Sequence, residues 1–178
     1  MSATDRSTDT TIRIAGVVRE SIVDGPGLRF VVFCQGCPHG CPGCHNPNTH
    51  GFDGGYDCQI EKILAAVDAN PLLDGVTFSG GEPLCQPTGF YALAKELKKR
   101  NLNIVVYTGY TYEELIKKAD TNEALQGVLD LTDYLIDGRF VEGKKDLTLQ
   151  FRGSTNQRII DMKETRAAKM VVLAEKYL

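Results

Sequence analysis

Four times along this chain, a short apolar run of strand type breaks off at a turn rich in glycine or cysteine. The runs are residues 28–34, 76–79, 104–107 and 134–136. They lead into a cysteine loop, Gly80-Gly81-Glu82-Pro83, Thr108-Gly109-Tyr110 and Asp137-Gly138-Arg139-Phe140. Helical patterns lie between them. Ile60, Ile63, Leu64 and Val67 share one helical face before Asn70-Pro71, and Phe90, Leu93, Ala94 and Leu97 share another. Thr111-Tyr112-Glu113-Glu114 reads as a capping box that opens a helix through Leu115, Ile116 and Ala119. Strands are also predicted over 12–18, where Ile12 and Ile14 alternate with Thr11 and Arg13, and over 158–162, with a helix over 165–178.

Strands that alternate with helices predict an α/β fold with a parallel sheet. The special residues all follow strand ends, the rim where parallel barrels place their active sites. Eight βα units take about 200 residues or more, and this chain has 178. The prediction is therefore a single-domain partial, open βα barrel over residues 11–178, behind a flexible polar tail over 1–10.

A hydrophobic content of 42% is enough for a core, and a net charge of −3 gives no basic field for nucleic acid. Lys98-Lys99-Arg100 fits a solvated helix end that complements the helix dipole. With no signal peptide and no apolar stretch of membrane length, no membrane role is expected, and the chain is expected to be cytoplasmic. In that reducing compartment, clustered cysteines favour metal binding over disulfides.

Cys37, Cys41 and Cys44 follow the spacing C-x3-C-x2-C. Three thiolates hold three irons of a [4Fe–4S] cube and leave the fourth open to an outside ligand. Counting Cys34 makes C-x2-C-x3-C-x2-C, which fits a closed ferredoxin-like cluster or a zinc site. Cys34 ends the run Phe30-Val31-Val32-Phe33 and shares a sheet face with Phe30 and Val32, which favours a buried thiol. Cys58 and Cys85 are isolated and read as ordinary thiols. His39 and His50 read as loop residues beside the cysteines, with metal binding the alternative, and Arg29 and Arg139 as salt-bridge partners, with partner or cofactor contacts the alternative. Gly80-Gly81 lets a ligand approach the backbone, whose polar groups can bind the amino end of a small zwitterion. Its simpler reading is a tight turn with Pro83 opening a helix.

C-x3-C-x2-C with a downstream Gly-Gly-Glu-Pro resembles the radical S-adenosylmethionine superfamily. Asp24-Gly25-Pro26-Gly27-Leu28-Arg29 resembles its glycyl-radical-enzyme activases. Tyr107-Thr108-Gly109-Tyr110, Ile136-Asp137-Gly138-Arg139-Phe140-Val141 and Arg152-Gly153-Ser154-Thr155-Asn156-Gln157 resemble the activating proteins of the anaerobic (class III) ribonucleoside-triphosphate reductase. The likeness spans about residues 12–162.

This resemblance implies a [4Fe–4S] cluster on Cys37, Cys41 and Cys44 and reductive cleavage of S-adenosyl-L-methionine. It further implies a glycyl radical formed on the reductase, with flavodoxin as electron donor. Gly43, Cys44 and His45 would line the nucleoside side of the cofactor, and Gly80, Gly81 and Glu82 its methionine end. No acid–base catalytic residue is implied. The alternatives are an activase of another glycyl radical enzyme such as pyruvate formate-lyase, a small-molecule radical enzyme, a four-cysteine electron carrier and a zinc-bound interaction module.

Overall fold

The computed structural model describes residues 10–178. Except for Thr10, the predicted tail lies outside the described residues. Seven strands form one sheet in the order β3-β1-β2-β4-β5-β6-β7. They are β1 (Thr11–Ser21), β2 (Arg29–Cys34), β3 (Tyr56–Gln59), β4 (Gly75–Gly80), β5 (Asn103–Tyr107), β6 (Tyr134–Asp137) and β7 (Arg158–Asp161). Strands β2, β4, β5 and β6 run parallel. Antiparallel pairs close the two sides, β1 with β2 and β3, and β7 with β6. Strands β3 and β7 are the sheet's edges, so the sheet is open.

Among the described residues, the α-helices are α1 (Ile60–Asp68), α2 (Pro87–Lys99), α3 (Tyr112–Ala119), α4 (Glu123–Leu131) and α5 (Met162–Ala168). Side chains alternate faces along a strand, and this sheet uses its two faces differently. Ile12, Phe30, Val32, Phe78, Ile104, Val106 and Leu135 form one core with the buried faces of α1, α2, α3 and α4. Val105, Ile136 and Ile159 turn the other way and meet Ala174, with Phe151 and Tyr177 packed alongside. The helices therefore cover one face and leave the upper part of the other free for a site.

The α1 and α2 faces follow the predicted residues. The capping box also forms: Thr111 N–H donates to Glu114 Oε2 at 2.7 Å, and Glu114 N–H donates to Thr111 Oγ1 at 3.3 Å. Four details differ from the sequence reading. Pro83 opens a 3₁₀ turn, Pro83–Cys85, and the helix begins at Pro87. Strand β3 is a short edge strand whose pattern is too brief to register as periodic. Helix α4 is not among the elements expected from the sequence, although Asn122 caps it and Leu125, Val128 and Leu129 share its buried face. The predicted C-terminal helix is mostly not one. Met162 starts α5 rather than ending β7, and α5 stops at Lys169 in a left-handed conformation. Residues 172–174 then run extended beside β7, with Asp161 N–H on Val172 O and Ala174 N–H on Ile159 O, both at 2.9 Å. β-Branched Val171 and Val172 suit that extended path, and it covers a sheet edge that would otherwise expose unpaired backbone. Among the described residues, no helix is long and apolar enough to cross a membrane.

Arg29 opens β2 and is fully buried without an acidic hydrogen-bond partner. Its guanidinium donates to Thr77 Oγ1 at 2.6 Å, Pro26 O at 2.9 Å, Val76 O at 2.9 Å and Asn103 O at 3.0 Å. Burial pulls its pKa down to about 10. It is a clamp joining the 24–28 turn to β4 and β5, and the expected salt bridge is absent. Arg29→Met should lower stability by about 3 kcal/mol, read as an earlier urea midpoint. Arg29→Lys should recover little, because one ammonium cannot reach four acceptors in a planar fork. An unchanged midpoint would show that the clamp does not stabilise the fold.

Candidate active site

The four parallel strands end on the same edge of the sheet, at Cys34, Gly80, Tyr107 and Asp137. The turns that follow enclose one cavity. Its wall brings together Cys37, Cys41 and Cys44, the Gly80-Gly81 backbone and, opposite, Gly138 and Phe140. All three thiols are partly exposed, and all six cysteines of the chain are free. Segments 100 residues apart in sequence thus converge because parallel pairing carries every strand out at the same end.

Cys34 lies apart from them. It is fully buried in the helix-side core with Phe30 and Val32, and it does not line the cavity. Burial, reinforced by the Glu82 charge, pushes its thiol pKa well above the usual range. The buried-thiol reading of Cys34 therefore fits its placement. Burial also raises the Cys37 thiol. Cys44 Sγ accepts the Asn46 N–H at 3.4 Å.

Glycine is required where the turns cross. Gly80 has φ +90, and a Cβ there would lie 2.6 Å from Cys34 N. A Cβ on Gly81 would collide with the Gly36 carbonyl oxygen. This crossing is held by Gly81 N–H on Cys34 O and Glu82 N–H on Gly36 O, both at 2.8 Å. The backbone edge at Gly80-Gly81 is therefore open toward the cavity and rigid behind it.

Glu82 differs from its sequence expectation. It is fully buried and does not line the cavity. Its carboxylate accepts Leu84 N–H at 3.0 Å, Gly109 N–H at 2.9 Å and Thr108 Oγ1–H at 3.0 Å, and pairs with His39 Nε2 at 2.7 Å. These donors occupy the lone pairs that a cofactor ammonium would need.

His45 lines the cavity with its ring 5.0 Å from that of Phe140. Gly43 has φ +71, and a Cβ there would sit 2.9 Å from Glu142 Oε1. All three histidines of the chain reach the wall: His39, His45 and His50. His50 also accepts the Cys37 N–H on its backbone oxygen at 3.1 Å. Gln157 completes the wall. Its Nε2 donates to Gly138 O at 3.0 Å, and its Oε1 accepts Gly153 N–H at 2.8 Å. Its segment, Arg152 to Gln157, carries a family resemblance but no local signal for a site role. Arg139 is exposed on a neighbouring polar pocket, while Arg158 pairs with buried Asp137 at 2.5 Å and Glu113 at 2.8 Å. Cys58 packs in the helix-side core, and Cys85 lies near the Tyr110 hydroxyl; neither lines the cavity.

The three thiols stand on the wall of one cavity, beside a backbone edge that only glycine permits, and this donor set suits a [4Fe–4S] cube.

A fold and site of this kind define an iron–sulfur protein. The family model described as a 4Fe-4S single cluster domain matches residues 23–160. The anaerobic ribonucleoside-triphosphate reductase-activating protein of Salmonella typhimurium is 38% identical over 144 residues, covering 76% of this chain and 90% of that protein. The pyruvate formate-lyase-activating enzyme of Clostridium pasteurianum is 40% identical over 117 residues, covering 61% of this chain and 49% of that enzyme. Among solved structures, QueE from Escherichia coli aligns with a TM-score of 0.45 at 19% identity, covering 57% of this chain and 53% of that one, too distant to bear on function. The chain belongs to the family of anaerobic ribonucleoside-triphosphate reductase-activating proteins. It is a radical S-adenosylmethionine enzyme whose cofactors are a [4Fe–4S] cluster and S-adenosyl-L-methionine.

Gly81→Ala should cost about 3 kcal/mol through the clash with Gly36 and should lower the iron retained after reconstitution. Gly16→Ala is the control, since nothing lies within 4 Å of the added methyl. Equal iron content and equal urea midpoints in the two variants would refute the crowded crossing.

Proposed function

We propose that this chain activates the anaerobic ribonucleoside-triphosphate reductase by generating a glycyl radical on it. The observation that carries this reading is the shared cavity: Cys37, Cys41 and Cys44 face the Gly80-Gly81 backbone, and Cys34 lies in the core. Three thiolates and a free backbone edge suit a cluster with one iron open to a bound zwitterion. In this reading Cys37, Cys41 and Cys44 hold the cluster. The Gly80-Gly81 backbone binds the amino end of S-adenosylmethionine, and Gly43, Cys44 and His45 line its nucleoside side. When bound, the two cofactors supply the one-electron chemistry that ends in removal of a glycine hydrogen atom from the partner. The chain's own residues bind, orient and shield them.

We also read the open sheet as a partial βα barrel over residues 11–178, with residues 1–10 as a tail. Its support is the one-sided helix layer and the site at the parallel strands' C-terminal ends. A flavodoxin-type one-electron donor, a cytoplasmic setting and no nucleic-acid or membrane partner complete the reading. The relative that activates pyruvate formate-lyase is matched over only about half its length, which favours the reductase as target.

The test is anaerobic reconstitution with iron and sulfide, reduction, and addition of S-adenosylmethionine. The wild-type protein should release 5′-deoxyadenosine. Cys37→Ala, Cys41→Ala and Cys44→Ala should fall to background, whereas Cys34→Ala should keep both cluster and cleavage. A glycyl-radical EPR signal should appear on the reductase and not on a formate-lyase. Failure of a fully loaded wild-type protein to cleave S-adenosylmethionine would overturn the reading.

A further inference from the structure

The cysteine loop is anchored unevenly. Backbone hydrogen bonds hold its two ends, from Gly36 N–H to Thr49 O and from Cys37 N–H to His50 O. Between them, residues 38–43 bring His39 and Cys41 to the cavity wall. Among the described residues, the only hydrogen bond joining 38–43 to a distant part of the chain is the one between His39 Nε2 and Glu82 Oε2. The two atoms lie 2.7 Å apart.

This bond is enclosed and well fitted. The His39 side chain is 3% exposed and that of Glu82 is 0% exposed. The imidazole meets the Tyr110 ring edge-on at a centroid distance of 4.5 Å. It also packs so closely on Gly109 that a Cβ there would overlap the ring. The same Glu82 carboxylate holds the Thr108-Gly109 turn, and its own backbone N–H holds Gly36. One carboxylate therefore sets the spacing of three walls: the cysteine loop, the Gly80-Gly81 edge and the β5 turn.

We propose that His39, acting through Glu82, is a positioning residue that sets the distance between the cysteine loop and the Gly80-Gly81 edge. The inference rests on the reading above that these two walls hold the cluster and S-adenosylmethionine. Neither His39 nor Glu82 is assigned a contact with a reacting atom. Ligand identity is carried by the cysteines, so loss of His39 leaves all three available. What changes is the fit of S-adenosylmethionine between the two walls. Outer-shell partners of this kind typically alter affinity about 10- to 100-fold.

The experiment compares wild type, His39→Ala and His39→Gln after anaerobic reconstitution. Iron and sulfide per chain report loading. Equilibrium dialysis reports S-adenosylmethionine affinity, and EPR of the reduced cluster with and without S-adenosylmethionine reports how it seats. His39→Ala should load iron but bind S-adenosylmethionine at least about 10-fold more weakly, with a smaller change in the EPR spectrum on binding. His39→Gln keeps a side-chain N–H donor and should restore most of both.

A His39→Ala protein with wild-type affinity and spectrum overturns the proposal, even if its melting temperature falls, since that marks a purely structural histidine. If His39→Ala does not load iron, His39→Gln decides: recovery of loading and affinity supports the proposal, and no recovery overturns it. If instead the wild type itself shows no spectral response to S-adenosylmethionine, the reading of the site has failed rather than the role of His39.

Discussion

The buried carboxylate of Glu82 is the interaction on which the site's construction depends. A carboxylate with no exposed surface is costly unless every lone pair finds a donor. Glu82 finds them in three separate segments: Leu84 N–H, the Thr108 hydroxyl with Gly109 N–H, and His39. The need to satisfy one charge thus fixes the relative places of turns that the sequence keeps far apart. Charge-assisted hydrogen bonds are stronger than neutral ones and more sensitive to geometry, which makes this carboxylate a precise spacer. The glycines at 80 and 81 serve the same end, allowing the β4 turn to lie against the backbone at Cys34 and Gly36.

The sheet supplies the second constraint. Its helices gather on one face, where they bury the larger apolar core, and the opposite face carries a smaller cluster and the mouth of the site. A doubly wound fold would cover both faces and leave its ligand a crevice at the strand ends. Here the helices cover one face only, and the cavity opens at the strand ends beside the smaller cluster. At the other end of the parallel strands, Arg29 binds the 24–28 turn to β4 and β5 through neutral acceptors. The two ends are held by different means, a buried anion above and a buried cation below.

Much of the fold was legible in local pattern. Ile60, Ile63, Leu64 and Val67, and Phe90, Leu93, Ala94 and Leu97, announced their helices because one buried face repeats with the helical period. The Thr111 capping box forms because its bonds lie within one turn. Strand β3 escaped notice because four edge residues hold too little periodicity, and residues 169–174 because covering β7 outweighs local helix preference. Of the site, the glycine turns and cysteine spacing were visible, as was the burial of Cys34, whose neighbours lie on its own strand. The roles of Glu82 and Arg29 were not. Both looked like candidates for contacts or ion pairs, and their partners lie 26 to 74 residues away or on backbone atoms.

By itself the sequence determined the four parallel strands, the buried faces of α1 and α2, the three thiolates that can share a metal and the glycines that the turns require. Those features depend on period, spacing and backbone freedom, which neighbouring residues set among themselves. Only the tertiary structure decided which face the helices would cover, that Arg29 would be held by neutral acceptors and that Glu82 would join walls rather than line the cavity. Each of those outcomes depends on burying a particular group against partners that only the folded chain brings near.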